Sequence, residues 1–250
     1  MSRSKANKEA ARKQRQKQAQ RKQLLATLRR FGIATIIVVV VLGLASILSS
    51  KAGPLGETYD EIRTFPVACG GNPPPEITTR QTFPEATDQG LTENATATVV
   101  TSCGTIEIAL DLTTSPTAAN TFAFLANQGY YNGTAAHQLL PQFVKFGDPT
   151  ATGLGNPGFT FQAEKPPADF EYTRGVVALG LNETQRNDGQ FFIVLADKST
   201  RAPNFSPIGV VTAGQDVLDK IAAIKVQLGV IPEISQPAET IYIESITINP

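Results

Sequence analysis

The sequence predicts a mainly β fold, a small antiparallel barrel with two capping helices, set behind one membrane-spanning helix. Three observations carry this expectation. Two runs that alternate in polarity, 96–102 and 105–111, flank Cys103-Gly104 as the arms of a β-hairpin would. A third alternation, 240–249, reads as a closing strand. Far upstream, Phe31 to Leu48 forms an uncharged stretch of 18 residues.

As a helix that stretch reaches roughly 27 Å, close to the hydrocarbon thickness of a bilayer. Before it, residues 1–30 carry 11 Lys/Arg against the single acid Glu9. Subtracting these from totals of 22 and 22 leaves 11 basic and 21 acidic residues downstream, so a net charge of zero conceals a basic tail and an acidic remainder. Basic flanks stay in the cytoplasm, which predicts a cytoplasmic tail at 1–30, a transmembrane helix at 31–50 and an extracytoplasmic remainder. A cleaved signal peptide is the competing reading, weakened by its long charged region and the loose match of Ser-Ser-Lys-Ala to a cleavage site. The tail is expected to meet membrane lipid. No nucleic acid is expected, because no aromatic residue is interleaved to stack on bases.

Residues 51–95, with Pro73-Pro74-Pro75 at their centre, read as a Pro/Gly-rich stalk with little regular structure. The domain proper is placed at 96–250. Ser115-Pro116 supplies an N-cap and a first-turn proline for an amphipathic helix carrying Ala118, Phe122 and Leu125. Further strands are expected at 137–146, 175–179, 190–195 and 205–211. A second helix at 215–224 places Val217, Leu218, Ile221 and Ile224 on one side. No solenoid or propeller period is present, and closing the sheet would remove its edges.

Some chemistry is excluded early. One histidine and two cysteines in the whole chain are too few for a protein-built zinc site. No phosphate-cradling glycine loop and no Gly-x-Ser-x-Gly elbow occurs.

Several segments together resemble the cyclophilin family of peptidyl-prolyl isomerases over roughly 96–249. They are Ser115-Pro116, Thr121-Phe122, Tyr130-Tyr131-Asn132-Gly133, Ala136-His137-Gln138-Leu139-Leu140-Pro141-Gln142-Phe143, Gly147-Asp148-Pro149-Thr150, Arg174-Gly175 and Gly189-Gln190-Phe191-Phe192-Ile193. The resemblance implies a closed eight-stranded antiparallel barrel with two capping helices and a peptide groove on its outer face. It also implies a proline pocket built from Phe143 and Phe192, with Gln190 bonding the substrate backbone. Val144, Phe146, Leu179, Gly180 and Phe205 are further groove candidates. The partners it implies are Xaa-Pro segments of exported polypeptides, and no cofactor is required.

Such a groove must favour the twisted amide over the planar one, whose rotation barrier is near 20 kcal/mol. The family does this with an arginine donor directed at the prolyl nitrogen. Gln138 stands at that place here, offering a neutral amide. Losing one charge-assisted hydrogen bond, worth about 1.5–3 kcal/mol, predicts a rate lower by roughly ten- to a hundredfold. Two further segments depart from the family pattern. Phe143-Val144-Lys145-Phe146-Gly147 is one glycine short and lacks the second groove glutamine. Thr200-Arg201-Ala202-Pro203-Asn204-Phe205 replaces a tryptophan-bearing loop.

Cys69 and Cys103 both fall on the predicted outer side, where oxidation is permitted, and a disulfide between them is expected. It would stabilise the fold by about 3 kcal/mol in the chain-entropy model. Two free buried thiols are the alternative. His137 is read as a structural residue of its strand. Asn94, Asn132 and Asn182 begin glycosylation triplets that are treated as incidental. The function expected is proline isomerisation, at full or reduced rate, during folding of exported proteins, with a non-catalytic proline-peptide-binding chaperone or scaffold as the alternative.

Overall fold

The computed structural model describes residues 57–228 and 235–250. The basic tail, the apolar run at 31–50 and the start of the expected stalk lie outside the described residues. Among the described residues no helix is long and apolar enough to cross a membrane.

The strands are β1 (Thr96–Thr101), β2 (Gly104–Leu110), β3 (Gln138–Leu140), β4 (Phe143–Phe146), β5 (Phe161–Gln162), β6 (Val176–Leu181), β7 (Arg186–Val194), β8 (Ser206–Ala213), β9 (Val226–Leu228), β10 (Ser235–Pro237) and β11 (Ile243–Asn249). The helices are α1 (Glu57–Ile62), α2 (Pro116–Asn127) and α3 (Gln215–Ala222). The hairpin forms as its alternation requires, with Ala97, Val99, Ile106 and Ile108 turned into the core. The run 137–146, expected as one strand, is two. Pro141 and Gln142 form the turn between β3 and β4, because proline cannot donate to a ladder.

One curled antiparallel sheet runs in the order β11-β1-β2-β8-β6-β7-β4-β3, with β5 added on β7. β9 and β10 pair separately. The expected closed cylinder is not closed by a ladder, since β3 and β11 end the path without pairing. Their ends are joined through the segment before β3. Ala135 bridges Tyr242, Gly133 N–H donates to Ile243 O at 2.8 Å, and Ala136 N–H donates to Ile241 O at 2.8 Å. A three-residue β3 is too short to carry the pairing further.

α2 and α3 pack on the main core, burying Phe122 and Leu125 from one and Leu218 and Ile221 from the other. Ser115 precedes α2 as expected, but its hydroxyl does not cap the helix. Glu164 does: its carboxylate accepts from Thr117 N–H at 3.1 Å and Ala118 N–H at 2.8 Å. An anion there meets the positive end of the helix dipole as well as two otherwise unpaired donors.

The segment 57–95, expected as a stalk with little regular structure, is a strap packed on the sheet. α1 buries Tyr59 and Ile62. Ile62 joins Ala135, Ala151 and Tyr242 in a small apolar cluster over the seam. Thr240 pairs with this strap on both sides, donating N–H to Pro66 O and accepting from Ala68 N–H. The expected disulfide Cys69–Cys103 is formed, tying the strap to the β1–β2 turn. Farther on, Phe83 packs edge-on against Phe124 of α2 with ring centres 5.2 Å apart. The composition suggested a spacer, but Tyr59, Ile62 and Phe83 each bring enough apolar surface to dock it.

Candidate active site

Strand alternation sorts the expected residues onto two faces. Val144, Phe146 and Leu179 are fully buried in the main core with Phe191 and Ile193. They do not line a groove, because each sits one residue out of phase with the face that Phe143 and Phe192 occupy. On that other face Phe143, Tyr172, Val176, Ala178, Phe192 and Val194 form a separate cluster, flanked by Leu140, Phe170 and Phe205. The Phe143 and Phe192 rings lie 5.8 Å apart, and Phe205 lies edge-on to Phe192 at 5.2 Å. The Tyr172 hydroxyl fixes Phe205 by donating to its carbonyl at 2.7 Å and accepting its N–H at 3.1 Å.

A row of directly paired residues crosses this face. Gln138 is opposite Lys145, Lys145 is opposite Phe192, and Phe192 is opposite Ala178. Paired residues project to one side of a sheet, so Gln138 and Lys145 share a face with the aromatic pocket. The side chain of Lys145 extends from β4 across β7 to Gly180 on β6. A Cβ built on Gly180 would stand 3.0 Å from Lys145 Cε and 3.4 Å from its Nζ. Gly180 therefore belongs to the groove face as the bed on which this lysine lies.

Gln190 is wholly buried. Its amide nitrogen donates to Gly153 O and Gly155 O, both at 2.9 Å, and so positions the 153–155 loop. The same loop wraps Asp148. That carboxylate accepts from Thr150 N–H and Oγ1, from Thr152 Oγ1, and from Gly153 N–H and Gly155 N–H. A Cβ at Gly155 would fall 1.9 Å from Asp148 Oδ1, so only glycine fits.

The polar groups behind the pocket perturb one another. Burial, with Lys145 adding to it, pulls the His137 imidazole down to about 3 against the opposing influence of Asp148. Neither ring nitrogen has a partner at ordinary hydrogen-bond distance, although the Gln190 side chain is near enough to oppose the lowering. A neutral, buried His137 suits the structural role expected of it. Burial alone would raise Asp148, but the hydrogen bonds from Thr150 and Gly155 hold it below the usual carboxylate range. Burial pushes Asp188 up to about 6 against the pull of Lys145. Lys145 itself is lowered by burial, which Asp188 and Asp148 oppose and Arg201 reinforces.

Arg201 covers the pocket. Its guanidinium carbon stands 3.9 Å from the centre of the Phe143 ring and 4.8 Å from those of Phe192 and Phe205. Sequence reasoning gave no role to Arg201, Lys145 or Tyr172. The signal for the first two was present, since each stands in a segment that departs from the family pattern.

A curled antiparallel sheet thus carries an aromatic cluster, separate from its main core, beside a row of buried polar groups. The family model described as "Cyclophilin type peptidyl-prolyl cis-trans isomerase/CLD" matches residues 96–248, and the chain belongs to that family. It is 31% identical over 169 residues to the "Probable peptidyl-prolyl cis-trans isomerase B" of Mycobacterium leprae, covering 61% of this chain and 56% of that one. The chain thus spans about half the length of this mycobacterial relative. It is also 31% identical over 140 residues to a "Peptidyl-prolyl cis-trans isomerase" of Helicobacter pylori, covering 55% of this chain and 86% of that one. Among solved structures, a Cryptosporidium parvum cyclophilin type isomerase in the presence of the dipeptide Ala-Pro superposes with a TM-score of 0.55. At 24% identity, covering 62% of this chain and 99% of that one, it shares the fold.

Proposed function

We propose that this chain is a peptidyl-prolyl cis-trans isomerase that acts on Xaa-Pro segments of exported polypeptides. Its apolar run would anchor it in the membrane, with the barrel outside and the basic tail in the cytoplasm. The observation that carries the catalytic part is the Phe143–Phe192–Phe205 slot, held apart from the core on the face that also bears Gln138. The presence of Ala-Pro with the Cryptosporidium relative supports the same ligand class here. Gln138 would be a weakened donor to the prolyl nitrogen. Phe143 and Phe192 would grip the pyrrolidine ring, and Gln190 would hold the loop beside them.

The test is turnover of an Ala-Pro peptide by the full-length chain in mild detergent, with Gln138→Arg alongside. The expected result is measurable wild-type turnover, raised roughly ten- to a hundredfold by the arginine. A second reading, a non-catalytic proline-peptide-binding chaperone or scaffold, draws on the neutral amide at Gln138. It is favoured if the wild type binds peptide without turning it over and the substitution restores turnover. Absence of both binding and turnover from both proteins removes both readings. Labelling of cysteines introduced into the tail and the barrel of intact cells tests the proposed orientation.

A further inference from the structure

Lys145 and Arg201 are the two half-buried cations among the described residues that make neither an ion pair nor a side-chain hydrogen bond. Arg63 and Arg80 donate to the carbonyls of Pro74 and Asn156, and Arg174 pairs with Asp219. Both stand on the face of the aromatic cluster, in a chain whose residues after 30 carry 21 acids against 11 bases. Asp148 and Asp188 act on Lys145 through space, yet neither forms an ion pair with it, and both accept hydrogen bonds elsewhere. Asp148 is ringed by five hydrogen bonds from 150–155, and Asp188 accepts from the Gln190 N–H and side-chain amide.

The guanidinium of Arg201 lies at stacking distance from Phe143, over the ring that the proposed function assigns to the pyrrolidine. A proline entering the slot displaces it from all three rings. It then needs another partner, which a neutral peptide does not supply. Lys145 is paired with Phe192 in the β4–β7 register, and its side chain lies over Gly180. An anion that reached both would meet two cations that have no ion pair of their own.

We propose that this groove selects peptides carrying an acidic residue immediately before the proline, with Arg201 and Lys145 as the specificity-determining pair. The inference rests on the reading of the site as an Xaa-Pro groove, and the experiment separates the two. Three peptides that differ only as Glu-Pro, Gln-Pro and Lys-Pro are titrated against the full-length chain in mild detergent at low salt. Expected is Glu-Pro binding about tenfold tighter than Gln-Pro, with Lys-Pro weakest. The gap should close at 0.5 M salt, on the order of the concentration at which screening acts within a few ångströms. It should also close in Lys145→Met/Arg201→Met, whose fold is checked by circular dichroism. Should that pair fail to fold, Lys145→Gln and Arg201→Gln taken singly must each narrow the gap. Equal binding of the three peptides, or a gap that survives both substitutions, overturns the acidic preference alone. Binding of none of them overturns the groove itself, and the preference with it.

Discussion

The Tyr59 hydroxyl donates to the carbonyl of Gly133, 74 residues later, at 3.3 Å and accepts the Ile77 N–H at 3.2 Å. One phenol thus links α1, the proline-rich part of the strap and the seam between the ends of the sheet. Arg63 stacks over the Tyr59 and Tyr242 rings and donates to Pro74 O, holding the same junction. Tyr59→Phe is expected to cost about 1–2 kcal/mol, because it leaves buried polar groups unpaired. Tyr59→Ala, which also opens a cavity, should cost roughly 3–5 kcal/mol. Urea midpoints check both, and a strap that merely hangs beside the barrel predicts no change for either.

The Cys69–Cys103 bridge closes a loop of sequence separation 34 between strap and hairpin. Cys69→Ser/Cys103→Ser should lower stability by about 3 kcal/mol. Wild type in reductant should fall to the level of the double variant, while the variant itself ignores reductant. Identical urea midpoints for oxidised wild type and variant would contradict this.

Gly155 leaves room for the Asp148 carboxylate. Gly155→Ala forces that carboxylate out of its hydrogen bonds and releases the loop that Gln190 holds, at an expected cost of about 2–4 kcal/mol. In an Asp148→Ser background the same alanine should cost much less, since the two residues share one contact. Additive losses in that double-mutant cycle would mean the clash is relieved elsewhere.

His137 sets a pH dependence with a definite sign. An unfolded histidine binds its proton near 6.5, whereas the folded one binds it only near 3. Between those values the unfolded state holds more protons, so the contribution of His137 is complete above about 6.5 and is lost as pH falls toward 3. Asp188 works in the opposite direction, because its folded value is raised to about 6 and its contribution is lost as pH rises through that value. Comparing wild type with His137→Leu isolates the imidazole. The stability difference between them should shift in favour of the variant by roughly 2–3 kcal/mol from pH 7 to pH 4.5. A difference independent of pH would show that the ring titrates normally.

Much of this was legible in the chain itself. The 96–111 hairpin, the helix opening at Pro116 and the final strand follow from periodicity and turn chemistry, which are local properties. Phe143 and Phe192 could be assigned to one slot because their motifs lie in the order and spacing of a known family. The disulfide was legible too, since only two cysteines were present to pair. Other features rest on contacts between residues far apart in sequence. Ser115 has the right residue type for an N-cap, yet Glu164 supplies the cap from 46 residues beyond Ala118. The proline-rich segment has the composition of a spacer, yet a few apolar side chains dock it.

What the sequence determined alone was the class of fold, because alternation is written residue by residue, while the pairing of Phe143 with Phe192 was implied by the family resemblance. What only the tertiary structure decided was which face each candidate occupies and what surrounds it. Val144, Phe146 and Leu179 went to the core, Gln190 to its loop, and Lys145 and Arg201 to the pocket. Strand register and the path of a loop over the sheet are fixed by the packing of the whole domain, and no local pattern encodes them.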